Sequence, residues 1–202
     1  SLMSYLNKFE IETSYGIKAW KRWGNTAEQI IKSNPYVLCI QGVDLSFSRA
    51  DAVAAKSDIP ADSECRIKAG ITYILRQNAD QGHTCLPLDS LVKTAVSYLD
   101  VDEKLIKKVI EDETEEENLY YYDKHGRRFV MLADFYKAED YIARRLAIMR
   151  QISYDNKIDF SEVIDLEEEN NGIQYEKIQR EAINLALSKG FLVLTGGPGT
   201  GK

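Results

Sequence analysis

The last seven residues of the sequence, Gly196-Gly197-Pro198-Gly199-Thr200-Gly201-Lys202, have the types and spacing to hold phosphate, fitting G-x-x-x-x-G-K. Glycines let the backbone curl so that successive N–H groups point inward around an anion. A helix opening at the end of such a loop adds the positive end of its dipole. Lys202 is placed to reach the β- and γ-phosphates as a point charge. The loop follows Phe191–Thr195 (FLVLT), an apolar run of strand formers that predicts a buried parallel strand. Strand, glycines and lysine in register favour nucleotide binding over a plain glycine turn. Hydrolysis needs more: a Ser or Thr hydroxyl on Mg²⁺, an acidic metal partner, a water-positioning group and an arginine finger. The sequence stops before any of these, so the expectation is an ATPase parent using ATP and Mg²⁺. The 202-residue chain itself is expected to be inactive and to hold no metal ligands.

The elements that must carry this loop lie in a chain of ordinary globular composition, 44% hydrophobic and 29% charged. No apolar run reaches bilayer length and no signal-peptide layout opens the sequence, so neither a membrane nor secretion is expected. Cys39, Cys65 and Cys85 are odd in number and widely spaced, which predicts buried, reduced thiols in a cytoplasmic protein. The net charge of −6 argues against a uniformly basic nucleic-acid binder. The acid is clustered, however, at 111–117 and 165–169, and basic residues gather at Lys18, Lys21 and Arg22 and again at Lys124, Arg127 and Arg128. Local distribution therefore has to decide.

Residues 4–56 read as short helices broken by turns. Ile17–Trp23 ends at Gly24, a C-cap. Thr26–Lys32 follows with Asn25 as N-cap. Asn34-Pro35 breaks the pattern, Tyr36–Ile40 is a compact apolar patch, 41–44 is a turn, and Asp44 or Ser46 caps Phe47–Ala55. This is the pattern of helix–hairpin–helix units, whose hairpin N–H groups contact DNA phosphate without reading sequence. Gly42 is the hairpin candidate. Lys18, Lys21 and Arg22 share one helix face, either as a phosphate-facing patch or as a solvated face beside buried Trp20 and Trp23.

Asp62–Asp80 is the longest uninterrupted helical pattern, with Asp62 as cap, a stripe of Ile67, Gly70, Ile71, Ile74 and Leu75, and Gly82 as terminator. His83 has no chemical partner in sequence. Leu88–Leu99 and Asp102–Glu111 are two further amphipathic helices. Asn118–Tyr122 and Arg127–Leu132 then flank a four-residue polar tip, 123–126, as a β-hairpin. Three helices and a hairpin make a winged-helix-like layout whose tip offers Lys124, Arg127 and Arg128 to a phosphate backbone. Asp134–Gln151 is a helix with apolar Tyr141, Ile142, Leu146, Ile148 and Met149. Residues 152–172 turn acidic and end in Asn170-Asn171-Gly172, reading as a linker.

Gly172-Ile173, then Gln179-x-x-Ala182-Ile183, the strand and TGGPGTGK together resemble the start of the motor domain of RecD/TraA-type DNA helicases. The resemblance continues upstream. Asn34-Pro35-Tyr36 with Gly42 and Phe47-x-x-Ala50-Asp51 is similar to the helix–hairpin–helix segment of the stand-alone RecD-like helicases (exodeoxyribonuclease V alpha-subunit family). Arg66-x-x-Ala69-Gly70, Gly82-His83-Thr84 and Ala138-Glu139-x-x-Ile142-Ala143 resemble their following helical region. The resemblance implies an ATP-dependent helicase moving 5′ to 3′ on single-stranded or forked DNA in repair or recombination. It implies adenine contact by Gln179 and a motor of two RecA-like lobes. The family's hairpin usually reads Gly-Ile-Gly, whereas this chain has Gly42-Val43-Asp44, an aspartate where phosphate should approach.

The expected fold is mainly α: helix–hairpin–helix and winged-helix-like accessory domains with a small β-hairpin, then the first strand and phosphate loop of an α/β RecA-like lobe. The expected divisions are 1–58, 59–132, 133–172 and 173–202. Two alternatives are another phosphate-loop DNA motor, of clamp-loader or branch-migration type, and a non-catalytic module in residues 1–150 docking a recombination or single-strand-binding protein.

Overall fold

The computed structural model describes residues 2–152 and 160–199. Its element order is α1 Leu2–Asn7, α2 Thr13–Trp23, α3 Ala27–Ser33, α4 Phe47–Ala55, α5 Glu64–Asp80, β1 Cys85–Pro87, α6 Leu88–Leu99, α7 Glu103–Glu115, β2 Leu119–Lys124, β3 Arg127–Leu132, α8 Ala133–Gln151, α9 Ser161–Asn171 and α10 Lys177–Ser188. The chain is mainly helical and divides into two compact units, residues 1–136 and 137–202. No helix among the described residues is long and apolar enough to cross a membrane.

In the first unit, one hydrophobic core runs from Leu2 to Leu132 and continues without a break past residue 58. Helix α2 turns Gly16 and Ala19 inward. A Cβ on Gly16 would lie 2.5 Å from Met3 Sδ, so any larger residue here would make the flexible Met3 side chain shift. Trp20 lies one residue round from that small-residue face and is 55% exposed, against the expectation of burial. Helix α2 ends at Gly24 (φ 57), as the sequence predicts. Asn25 is not the cap of α3: Gly24–Thr26 forms a 3-10 turn, and Thr26 occupies the cap position.

Helix α5 buries Ile67, Gly70, Ile71, Ile74 and Leu75, the predicted stripe. It starts two residues after Asp62, with Ser63 and not Asp62 at the cap position. Gly70 brings α6 close, because a Cβ there would meet Leu99 Cδ2 at 2.6 Å. Asp102 caps α7 by accepting the Lys104 N–H at 2.8 Å. The predicted hairpin is one side of a three-stranded antiparallel sheet ordered β1-β3-β2. Strand β1 pairs Cys85 with Met131 and Pro87 with Phe129. Three residues ending in proline carry no period to read, and proline is tolerated there because β1 is an edge strand. The ladder between β2 and β3 runs on to the Lys124–Arg127 pair. The tip is therefore two residues, not four: His125 (φ 50) and Gly126 (φ 72) form a type I′ turn.

In the second unit, α8 continues from its start in the first, and the acidic stretch expected to be a linker is helical over Ser161–Asn171. Its carboxylates have partners. Arg180 of α10 donates to Glu168 at 2.7 Å and to Asp165. Gly172 closes α9 in the left-handed region (φ 62). Residues 153–159 lie outside the described set. Phe191–Thr195 forms no strand; Val193 is 67% exposed. The expected buried parallel strand is thus not seen, since among the described residues it has no neighbouring strand to complete its backbone pairing.

Candidate nucleic-acid interface and phosphate loop

The helix–hairpin segment is built from Asn34 onward. Asn34 accepts the Tyr36 N–H through its side chain at 3.0 Å, and Pro35 opens a 3-10 turn over Pro35–Cys39. The chain then reverses tightly. The Asp44 N–H donates to the Ile40 carbonyl at 3.0 Å and the Leu45 N–H to the Leu38 carbonyl at 2.9 Å. Gly42 (φ 93) and Asp44 (φ 64) both occupy the left-handed region. The Gly42 N–H, the group a phosphate would need, instead donates to Asp44 Oδ1 at 3.1 Å. An anion already fills this corner, and it belongs to the protein.

Two of the basic candidates on α2 support the same turn. Lys18 Nζ donates to the Val43 carbonyl at 3.1 Å and stands 3.9 Å from Asp44 Oδ2. Arg22 lies over the Trp23 ring at 5.9 Å and reaches the Gln41 carbonyl at 3.5 Å. Lys21 is exposed. The structure brings Lys18, Arg22 and Gly42 together, with Lys18 and Arg22 bracing the hairpin backbone.

The residues of the upstream motifs form an anchor. Arg66 grips Asp51 with Nε at 2.7 Å and Nη2 at 3.1 Å, and its Nη1 donates to the carbonyls of Ala61 at 2.7 Å and Leu99 at 2.8 Å. The Tyr36 hydroxyl completes the site by donating to Asp51. Burial would push the Asp51 carboxyl up, but hydrogen bonds from Arg66 and Tyr36 and the guanidinium charge hold it below the usual carboxylate range. Burial and the Asp51 hydrogen bond push the Tyr36 hydroxyl well above its ordinary value. Four segments, the 3-10 turn, α4, α5 and the end of α6, are tied at one point. Sequence reading missed the aromatic stack beside it: Phe47 sits 5.6 Å from Tyr36 and 5.7 Å from Tyr73, and Tyr73 sits 5.5 Å from Tyr98. Tyrosines scattered over three helices leave no local signal. An open groove of about 1030 Å³ runs between the hairpin and α5, lined by Cys39, Cys65, Lys68 and Arg76 among others. Its cations are engaged. Lys68 pairs with Glu113 at 2.8 Å, Glu64 at 2.9 Å and Glu116 at 3.5 Å, and Arg76 pairs with Asp134 at 2.5 Å. Part of the acidic run at 111–117 is thus neutralised from within. All three cysteines are free thiols. Burial pushes the Cys39 thiol up to about 12, the Asp51 charge adding to the effect, so it is not a nucleophile.

At the β2–β3 tip the three candidate cations separate. Arg128 chelates Asp123 at 3.0 and 3.2 Å and lies 4.8 Å over the Tyr121 ring. Its pairing with Asp123 raises the Arg128 pKa and lowers that of Asp123. Lys124 and Arg127 face each other across the ladder, both exposed, and neither has an ion-pair partner among the described residues.

In the second unit, Gln179 is the N3 residue of a capping box. Its Oε1 accepts the Glu176 N–H at 2.8 Å, while the Glu176 side chain takes the N3 backbone. Gln179 therefore has a helix-starting role that sequence reading did not identify. Gly196, Gly197 and Pro198 are exposed, and Gly199 sits at φ 78, a conformation that glycine adopts without strain. Thr200, Gly201 and Lys202 lie outside the described residues.

The front of the molecule therefore carries a tight helix–hairpin–helix with an anchored second half, followed by a basic hairpin tip. Residues 1–85 match the family model of the ATP-dependent RecD2 DNA helicase HHH domain, which supports an N-terminal region of RecD2-helicase type.

Proposed function

We propose that this chain is the N-terminal accessory region of an ATP-dependent DNA helicase that moves 5′ to 3′ on single-stranded or forked DNA in repair or recombination. The match over residues 1–85 carries this reading. The unpaired cations at the β2–β3 tip support a direct phosphate contact. The order α5–β1–α6–α7–β2–β3 is read as a winged-helix-like domain whose wing is that tip. Residues 173–202 are read as the entry to a RecA-like lobe. There Gly196–Lys202 would hold the phosphates of ATP, with Lys202 on the β- and γ-phosphates and Gln179 on the adenine. The left-handed Gly199 fits that loop. ATP bound there, with Mg²⁺, supplies the phosphoanhydride bond whose hydrolysis drives movement.

Fluorescence anisotropy with labelled single-stranded, forked and duplex DNA tests the DNA-binding half. Binding that weakens steeply with salt is expected; no binding at low salt would overturn it. In a protein carrying the rest of the motor, Lys202→Ala is expected to abolish ATP turnover, and retained turnover would overturn the loop assignment. Gln179→Ala is expected to weaken adenine nucleotides more than inorganic phosphate analogues, with equal losses counting against adenine contact. A second reading, protein docking by residues 1–150, is favoured by Ile17 and Trp20, exposed together on α2. Salt-insensitive capture of a purified single-strand-binding protein, lost in Trp20→Ala, would support it.

A further inference from the structure

The β2–β3 hairpin presents two chemically different faces. Alternation along the strands puts Leu119, Tyr121 and Asp123 on one face with their partners Leu132, Val130 and Arg128. That face is satisfied: Leu119, Val130 and Leu132 are buried, and Arg128 is held by Asp123 and Tyr121. The other face carries Tyr120, Tyr122 and Lys124 opposite Met131, Phe129 and Arg127. Near its base, Tyr120 stacks on Tyr136 of α8 at 4.1 Å with the rings 5° from parallel. Towards the tip, Tyr122 is 46% exposed and leans on Phe129 at 6.4 Å. At the end stand Lys124 and Arg127, like charges directly opposite each other and without an ion-pair partner among the described residues. Such a pair destabilises a hairpin, so an anion from outside is the natural complement.

We propose that this outer face is a stacking platform for single-stranded DNA, with Tyr122 receiving an unpaired base and Lys124 and Arg127 taking flanking phosphates. The inference rests on the reading that the chain contacts DNA and adds which face and which form of DNA. Side chains at alternate strand positions are about 6.6–6.8 Å apart along the strand. That is roughly twice the ~3.4 Å rise per nucleotide of one strand in B-form DNA. The platform therefore matches a stretched strand with its bases apart and not a stacked duplex. Exposed rings beside a positive groove are the general means of binding single strands without regard to sequence. Asp123, the acid adjoining Tyr122 and Lys124 in the strand, is on the opposite face and held by Arg128, and Glu117 lies beside Tyr120 at the other end of β2. Arg128, the remaining cation of the tip, belongs to the opposite face and has its own carboxylate.

The test measures anisotropy of labelled single-stranded and duplex DNA of equal length with the whole chain, Tyr122→Ala, Tyr122→Phe and Arg128→Ala. Tyr122→Ala is expected to weaken single-strand binding by about tenfold. Duplex affinity and the salt slope should stay within about twofold of wild type, with Tyr122→Phe and Arg128→Ala close to wild type on both substrates. A thermal melt of each variant separates lost stacking from lost folding, and Tyr122→Phe keeps the ring where Tyr122→Ala fails to fold. Unchanged single-strand affinity in Tyr122→Ala, or equal loss on both substrates, overturns the platform while leaving the DNA reading standing. Absence of all DNA binding in the wild-type chain at low salt overturns both.

Discussion

At the turn Gln41–Asp44, one carboxylate decides what the hairpin can bind. Asp44 accepts the Gly42 N–H and stands at φ 64, a backbone region in which a glycine is at ease and an aspartate is strained. The aspartate thus fills the corner that a phosphate would otherwise enter. Asp44→Gly is therefore expected to leave stability unchanged or raise it, and to tighten DNA binding severalfold at low salt by freeing the Gly42 N–H and the Lys18 ammonium. Anisotropy reads the change, and an unaltered affinity would show that the hairpin does not face DNA. Arg66 acts differently, through folding. Arg66→Ala leaves the partly buried Asp51 charge without its partner and orphans two carbonyls, so a loss of about 2–3 kcal/mol is expected in urea unfolding. Because the Asp51 carboxyl is held below its ordinary range, its contribution is present above the unfolded value, near pH 4, and is lost as pH falls through the depressed native value. Asp51→Asn should flatten that acid limb of the stability curve.

The helices joined by these residues depend on close approach. Gly70 lets α5 and α6 meet at Leu99, and an alanine there gains helix propensity but overlaps a fully buried leucine. A net destabilisation of about 1–2 kcal/mol is expected for Gly70→Ala, partly relieved on the Leu99→Ala background; thermal unfolding of the two single variants and the double measures it. These helices were legible in sequence because the stripe of Ile67, Ile71 and Ile74 has a clear 3.6-residue period. So were α4, α6 and the β2–β3 pair. What escaped was whatever depends on partners far away in sequence. Strand β1 is three residues long and exists only because β3 offers it an edge. Ser161–Asn171 looks like an acidic linker until Arg180 supplies the charge that holds it as a helix. The candidate site was half legible: composition located the cations at 18–22 and 124–128, but only register shows that Arg128 is neutralised while Lys124 and Arg127 are not.

For the molecule as a whole, net charge misleads, because the −6 hides a division of labour. Part of the clustered acid is tied internally, to Lys68 in the first unit and to Arg180 in the second. At the hairpin tip Lys124 and Arg127 stand opposite each other without an ion-pair partner among the described residues, so DNA binding there should depend on very few charges. The slope of log affinity against log salt counts the phosphates those charges neutralise, at roughly 0.7 per contact on a single strand. The most direct measurement compares that slope, for single-stranded DNA, between the chain and its Lys124→Ala/Arg127→Ala variant. A slope shallower by about 1.4 is expected, with folding unchanged by circular dichroism. An identical slope in the two proteins would contradict the account, placing the phosphate contacts elsewhere on the molecule.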